Sequence, residues 1–329
     1  MGAGMKFTRP SLMSEAAVNV GWKSTPMTRR TLLSISSLAP FAAATQKAPV
    51  QLILHADDYG VSHSSNEAIS EMLGAGTISS ASIMFPCAWA AEAAAFARAN
   101  PKLDVGVHLT LTSEWKGMRW APVAPADKVK GMLDPHGYMY PDVRSVAMNA
   151  TPEEITIEMR AQIEKAKKMG VRFTHLDTHM GTVYARPDFF EAYWRLGAEY
   201  NVPVMLMRPS AIAEGQGTPQ MVKYLMSREE GFQKEGRFRL DSLITGPARA
   251  GSTLEERRDS YFEAILKLKP GIHQLILHPA KLDNELRAMT GSAVARDRDY
   301  RIFHDPKMKA WWAEKGIQLT GWQDVAPKG

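Results

Sequence analysis

Between Val50 and Thr320, short apolar and β-branched runs alternate with stretches of helical composition, and this alternation restricts the fold more than any other feature. Runs at about 50–55, 77–85, 103–111, 171–176, 202–207, 272–277 and 317–320 have strand length and composition. Helices are predicted at 66–73, ended by Gly74 and Gly76, at the Ala-rich 88–99, and at 188–199, 254–268 and 309–315. Another opens at Thr151-Pro152-Glu153-Glu154, with a capping residue, an early proline and early acids, and closes in Lys165, Lys167 and Lys168 before Gly170. Strands separated by helices pair in parallel through right-handed crossovers, which leaves a closed (β/α) barrel or an open doubly wound sheet. Residues 112–150 form a long connection of weak periodicity, a length usual where a loop covers a site. The stretch between 207 and 254 reads as irregular.

The first run stops at His55-Ala56-Asp57-Asp58-Tyr59-Gly60, two neighbouring carboxylates followed by a glycine. Buried like charges are tolerated mainly when a cation or a shared proton neutralises one of them. Gly60 lets the backbone turn, so both carboxylates can reach one cavity. One could hold a metal while the other moves a proton; equally, the pair could cap a helix starting near Ser62 or Ser64. Three further strand ends carry imidazoles: His108, the trio His175, Asp177 and His179, and His278. In a parallel (β/α) architecture such ends converge on one edge, where sites form. The alternation His175-Leu176-Asp177-Thr178-His179 places its three polar side chains on one strand face. Carboxylate and imidazole together suit zinc, or magnesium or manganese with water, and Asp177 fits the part of a carboxylate that orients an imidazole.

Composition excludes other classes. A net charge of +5 is scattered, without an aromatic-interleaved basic stripe, which argues against nucleic acid as a partner. The single cysteine, Cys87, permits no intramolecular disulfide and reads as a packed thiol. Met27-Thr28-Arg29-Arg30-Thr31-Leu32-Leu33, an apolar stretch to Phe41 and the small residues Ala42, Ala43 and Ala44 read as a twin-arginine export signal. Its apolar part is too short for a stable membrane span. Met27 is a plausible initiator, so residues 1–44 are expected to be a non-structural leader and 45–329 a single domain. That predicts a periplasmic or extracellular protein, or a cytoplasmic one if the leader is not functional. The sequence admits a homodimer without specifying one.

Four motifs together resemble the YdjC-like carbohydrate deacetylases, which include the chitooligosaccharide deacetylases. They are Ala56-Asp57-Asp58-Tyr59-Gly60 with Asn66; Val105-Gly106-Val107-His108-Leu109-Thr110-Leu111; Thr174-His175-Leu176-Asp177-Thr178-His179; and His278-Pro279. The resemblance covers nearly all of the chain after about residue 50. It implies an α/β fold that is a distorted, TIM-barrel-like (β/α) barrel, with a divalent ion, Mg2+ or Zn2+, held by Asp58, His108 and His179. It also implies Asp57 as general base, His278 as general acid, and an acetylated sugar or oligosaccharide as substrate, N- or O-acetylated. His175 and Asp177 take supporting places. Members of the family usually continue past His179 with more histidines, where this chain has Met180-Gly181-Thr182, and have glycine where Ala280 stands. Those departures fall on the substrate walls.

Around such a site, Trp115, Trp120, Tyr138 and Tyr140 would either stack on sugar faces or simply pack the loop. Arg208, closing the fifth strand, would bind a substrate oxygen or pair with a carboxylate. Two other readings stay open: another metal-dependent barrel hydrolase, acting on a cyclic amide or phosphoester, and a catalytically silent glycan-binding relative. The first lacks a glycine-rich phosphate cradle or clustered Lys and Arg, and the second gives no use to an unligated base beside a ligand.

Overall fold

Strand β1 (Val50–Tyr59) is the central stave of a parallel sheet, and its last eight residues are all buried. Burial on both faces is what a near-continuous apolar strand requires. The computed structural model describes residues 49–213, 218–246 and 253–326; the expected leader lies outside them. The strands that follow are β2 (Ser80–Ile83), β3 (Val105–Leu109), β4 (Leu176–Thr178), β5 (Ser242–Ile244), β6 (Gly271–Leu277) and β7 (Ile317–Leu319). Sheet order is β4-β3-β2-β1-β6-β5, all parallel. One edge of β1 carries β6 along Val50 to Ala56. The other edge is shared, with β7 opposite Val50 to Leu52 and β2 from His55 onward.

The ring closes through irregular staves. Leu176 forms a parallel bridge to Val204, and Met207 one to Leu240, two residues before β5. The N–H of Met205 donates to Leu176 O (2.8 Å), that of Leu240 to Leu206 O (2.8 Å), and that of Asp241 to Ile272 O (2.8 Å) on β6. The fold is therefore the distorted (β/α) barrel, and the open doubly wound alternative is set aside. The strand expected at 202–207 is real as a stave but not as a regular strand. The strand expected at 171–176 starts only at Leu176.

The helices are α1 (His63–Ala75), α2 (Ala90–Ala99), α3 (Val143–Asn149), α4 (Pro152–Lys168), α5 (Pro187–Glu199), α6 (Pro209–Ala213), α7 (Pro219–Lys234), α8 (Leu254–Leu266), α9 (Asn284–Met289), α10 (Ala293–Phe303), α11 (Lys307–Glu314) and α12 (Trp322–Val325). The expected capping residue of α4 is in place and completes a capping box: Thr151 Oγ1 accepts from Glu154 N–H (3.2 Å), and Glu154 Oε2 accepts from Thr151 N–H (2.8 Å). Helices α6, α7, α9 and α10 occupy stretches whose sequence gave no helical expectation. The cap of α1 is Ser62, whose side chain accepts from Ser65 N–H, so the acidic pair does not cap it. Among the described residues, no helix is long and apolar enough to cross a membrane.

The 112–150 connection is ordered by α4. Glu158 accepts the N–H groups of Val123 (2.9 Å) and Ala124 (2.8 Å), while Gln162 brackets Thr110 through both its amide atoms. Trp115 and Trp120 are buried against each other, and Trp120 donates to Thr112 O (2.7 Å). Tyr138 lies under the Arg119 guanidinium. Trp115 and Trp120 therefore pack the loop and Tyr140 packs half-buried against the core, whereas Tyr138 stays exposed. Cys87 is a free, buried thiol, as expected.

Candidate active site

The acidic pair reaches one cavity because of the backbone at Asp58. Its φ is 62°, in the left-handed region, and Gly60 follows at φ 97°. Asp tolerates that region better than most side chains, and such a conformation costs on the order of 1–3 kcal/mol, held here by the surrounding sheet. The pairing register with β2 shifts between Ala56 and Tyr59. The expected turn is present, made at Asp58 itself as well as at Gly60.

Asp58, His108 and His179 offer ligand atoms that all lie within 4.8 Å of one another, and all three residues are buried. Asp58 Oδ1 is 3.5 Å from His108 Nε2 and 3.3 Å from His179 Nδ1, and these two nitrogens are 3.3 Å apart. Each imidazole is oriented from behind by a carboxylate. Asp177 Oδ1 holds His108 Nδ1 at 2.9 Å, and Glu114 Oε2 holds His179 Nε2 at 2.9 Å. That leaves His108 Nε2 and His179 Nδ1 free to face inward. Asp58 Oδ2 is taken by Arg296 Nη2 (2.5 Å), whereas Asp58 Oδ1 is buried without a hydrogen-bond partner. An orphaned carboxylate oxygen beside two inward imidazole nitrogens could hold a divalent cation.

Asp57 is buried beside them. Its Oδ1 lies 3.3 Å from His55 Nε2, and its Oδ2 lies 3.8 Å from His108 Nε2 and 3.9 Å from His278 Nε2. Burial pushes the Asp57 carboxyl up to about 7, against the pull of His108. Asp58 goes the other way: burial opposes its charge, but Arg296 and the two imidazoles hold it well below the usual carboxylate range. Adjacent carboxylates with separated proton affinities can divide ligand and base roles. Burial lowers His278, although Asp58 and Asp57 pull it up.

His175 is fully buried behind the cluster, its Nδ1 2.9 Å from Thr174 Oγ1 and its ring stacked on Trp322. It lies so close to Gly106 that a Cβ there would sit 2.4 Å from Nε2, which explains the glycine in β3. Asp177 does orient an imidazole, that of His108. Arg208 pairs with Asp241 (2.7 Å), the second of its two expected alternatives. Three participants went unassigned in the sequence: His55, Glu114 and Arg296. His55 shares a strand face with Asp57 by the two-residue period, a signal that was available. Arg296 lies 238 residues from Asp58, on a helix the sequence did not disclose.

The sequence pattern of the YdjC-like protein family matches residues 51–314, a span that includes every residue of this cluster. The chain belongs to the YdjC-like protein family. A Thermus thermophilus carbohydrate deacetylase is 34% identical over 266 residues, covering 80% of this chain and 89% of that protein. A carbohydrate deacetylase from Thermoanaerobacter pseudethanolicus is 26% identical over 271 residues, covering 82% and 97%. The crystal structure of a provisionally named cellobiose-phosphate cleavage protein from Enterococcus faecalis superposes with a TM-score of 0.70 at 23% identity, covering 85% of this chain and all of that one. That likeness concerns the fold.

Proposed function

We propose that this YdjC-like protein is a metal-dependent carbohydrate deacetylase, which hydrolyses the acetyl group of an N-acetylated or O-acetylated sugar. The observation that carries the reading is Asp58 Oδ1, buried without a donor and facing two imidazole nitrogens that carboxylates hold in position. Asp58, His108 and His179 would hold the ion, and two nitrogens with one oxygen suit Zn2+, with Mg2+ the alternative. When bound, the ion supplies Lewis acidity to the acetyl group and to water. Asp57, with its raised proton affinity, takes a proton from the attacking water as the new C–O bond forms. His278 Nε2, 3.9 Å from Asp57 Oδ2, receives that proton and delivers it to the departing nitrogen or oxygen as its bond to the acetyl carbon breaks. Asp177 and Glu114 keep the two ligand imidazoles aimed inward. The twin-arginine segment supports action outside the cytoplasm, which amino-terminal sequencing of exported protein tests: a product still carrying Arg29 and Arg30 contradicts it. For the activity itself, acetate release from acetylated sugars should be abolished by chelator and restored by a divalent ion. Chelator-resistant release would overturn the metal dependence.

A further inference from the structure

Both ring nitrogens of His55 are bracketed by hydroxyls of β2. Ser80 Oγ lies 2.9 Å from Nδ1, and Ser82 Oγ lies 3.0 Å from Nε2. The residue is fully buried, so these contacts and not solvent fix the plane of the ring. Nε2 also faces two carboxylates, Asp177 Oδ2 at 3.0 Å and Asp57 Oδ1 at 3.3 Å. A bare nitrogen lone pair between two carboxylate oxygens would be repelled by both, so Nε2 carries a proton.

The two carboxylates do not need that proton equally. Asp177 is served on both oxygens without it: His108 Nδ1 lies 2.9 Å from Oδ1, and the Ser82 hydroxyl donates to Oδ2 (2.7 Å). The Ser82 proton is thereby committed and cannot serve Asp57. Asp57 Oδ1 is buried without a hydrogen-bond partner, and Asp57 Oδ2, 3.8 Å from His108 Nε2 and 3.9 Å from His278 Nε2, is beyond hydrogen-bond reach of either. His55 and Asp57 share a strand face by the two-residue period, which puts the His55 N–H directly behind Oδ1. Catalytic hydrogen bonds are often long in a ligand-free site and tighten in the reacting complex, which is the behaviour a 3.3 Å contact with an unserved oxygen allows.

We propose that His55 is a positioning residue for Asp57: its Nε2–H holds Asp57 Oδ1 toward the barrel interior and so turns Oδ2 to the attacking water. The catalytic consequence rests on the deacetylase reading, whereas the contact itself does not. Two measurements on the full chain therefore separate the claims. Magnetic resonance of 15N-labelled imidazoles, metal-free and with Zn2+, should show a proton on His55 Nε2, assigned by its loss in His55→Gln, and its resonance should move in Asp57→Asn. Kinetics then read the role. Glutamine carries an amide N–H at the position of the ring Nε2, and asparagine only at that of Nδ1. His55→Asn should lower kcat about ten- to a hundredfold, the size of effect expected for a misplaced catalytic group, with KM and metal stoichiometry unchanged. His55→Gln should recover most of that loss. In an Asp57→Asn background His55→Asn should cost nothing further, because the residue acts through Asp57. A His55 Nε2 without a proton, a resonance indifferent to Asp57→Asn, or equal fold-losses in both backgrounds overturns the proposal. Loss of bound metal in His55→Asn assigns the effect to Asp177 and His108 and overturns it as well. If His55→Asn does not fold, the resonance decides alone. A wild-type protein that releases no acetate from any acetylated sugar, while the Nε2 proton still responds to Asp57, supports the contact and rejects the deacetylase reading.

Discussion

Replacing Arg296 with methionine removes the buried guanidinium paired with Asp58. Arg296 Nη2 lies 2.5 Å from Asp58 Oδ2, and the two side chains are only 7% and 3% exposed. Methionine keeps a long apolar side chain beside Trp115, over whose ring the guanidinium now lies at 4.9 Å. Removing one partner of a buried ion pair leaves the other charge uncompensated, at about 3–5 kcal/mol. In urea unfolding with chelator, Arg296→Met should lose stability of that size. With saturating Zn2+ the loss should shrink, because the ion then faces Asp58 Oδ1 and compensates the same carboxylate. If it shrinks by about 2 kcal/mol, the closed cycle requires metal affinity in the folded variant to be about thirtyfold higher than in wild type. Calorimetric metal titration of both proteins reads that number directly. Equal losses with and without the ion, or a loss below about 1 kcal/mol, would refute the idea that one carboxylate serves Arg296 and a cation.

Changing His108 or His179 to alanine should abolish stoichiometric metal in the purified protein, measured by elemental analysis; full occupancy in His179→Ala would move the ligand set toward His175. Although burial opposes its charge, Glu114 and Asp58 raise His179 to about 9 in the metal-free protein, so the ion must displace a proton. Metal affinity should therefore rise with pH up to about 9, and ion uptake in dilute buffer should acidify the solution. Burial pushes Glu158 up to about 7 from 4.5, against the N–H groups of Val123 and Ala124. A carboxyl raised in the fold stabilises fully below its unfolded value and loses that contribution as pH rises through about 7, an effect of about 3 kcal/mol. Urea midpoints should fall between pH 4.5 and 7.5 in wild type and fall by less in Glu158→Gln, where the raised carboxyl of Asp57 still titrates over the same range.

Much of this was legible because regular elements announce themselves locally. Thr151-Pro152-Glu153-Glu154 specifies the start of α4 by its own side chains, and the histidines at strand ends mark a common edge once the strands are parallel. The barrel's closure was not legible, since it depends on single bridges at Val204 and Leu240 rather than on a periodic strand. Helix α10 was missed because Arg296, Arg298, Asp299 and Arg301 break an apolar stripe, and two of these charges are buried by pairing across the fold. Likewise Glu114 is the sole acid between Thr112 and Ala126, but nothing local shows that it backs His179. Adjacent residues Asp57 and Asp58 could be read as a site, whereas the division of labour proposed for them depends on a left-handed backbone that sequence does not display.

The central claim is that Asp58 belongs to a cation and Asp57 to a proton. The most direct test measures metal content and acetate release together for Asp57→Asn and Asp58→Asn. Asp57→Asn should keep the ion and the fold yet release acetate about a hundred- to ten-thousandfold more slowly, as expected for a lost general base, while Asp58→Asn should lose the ion first. Full activity in Asp57→Asn, or an Asp58→Asn protein that is inactive but metal-replete, would contradict the account.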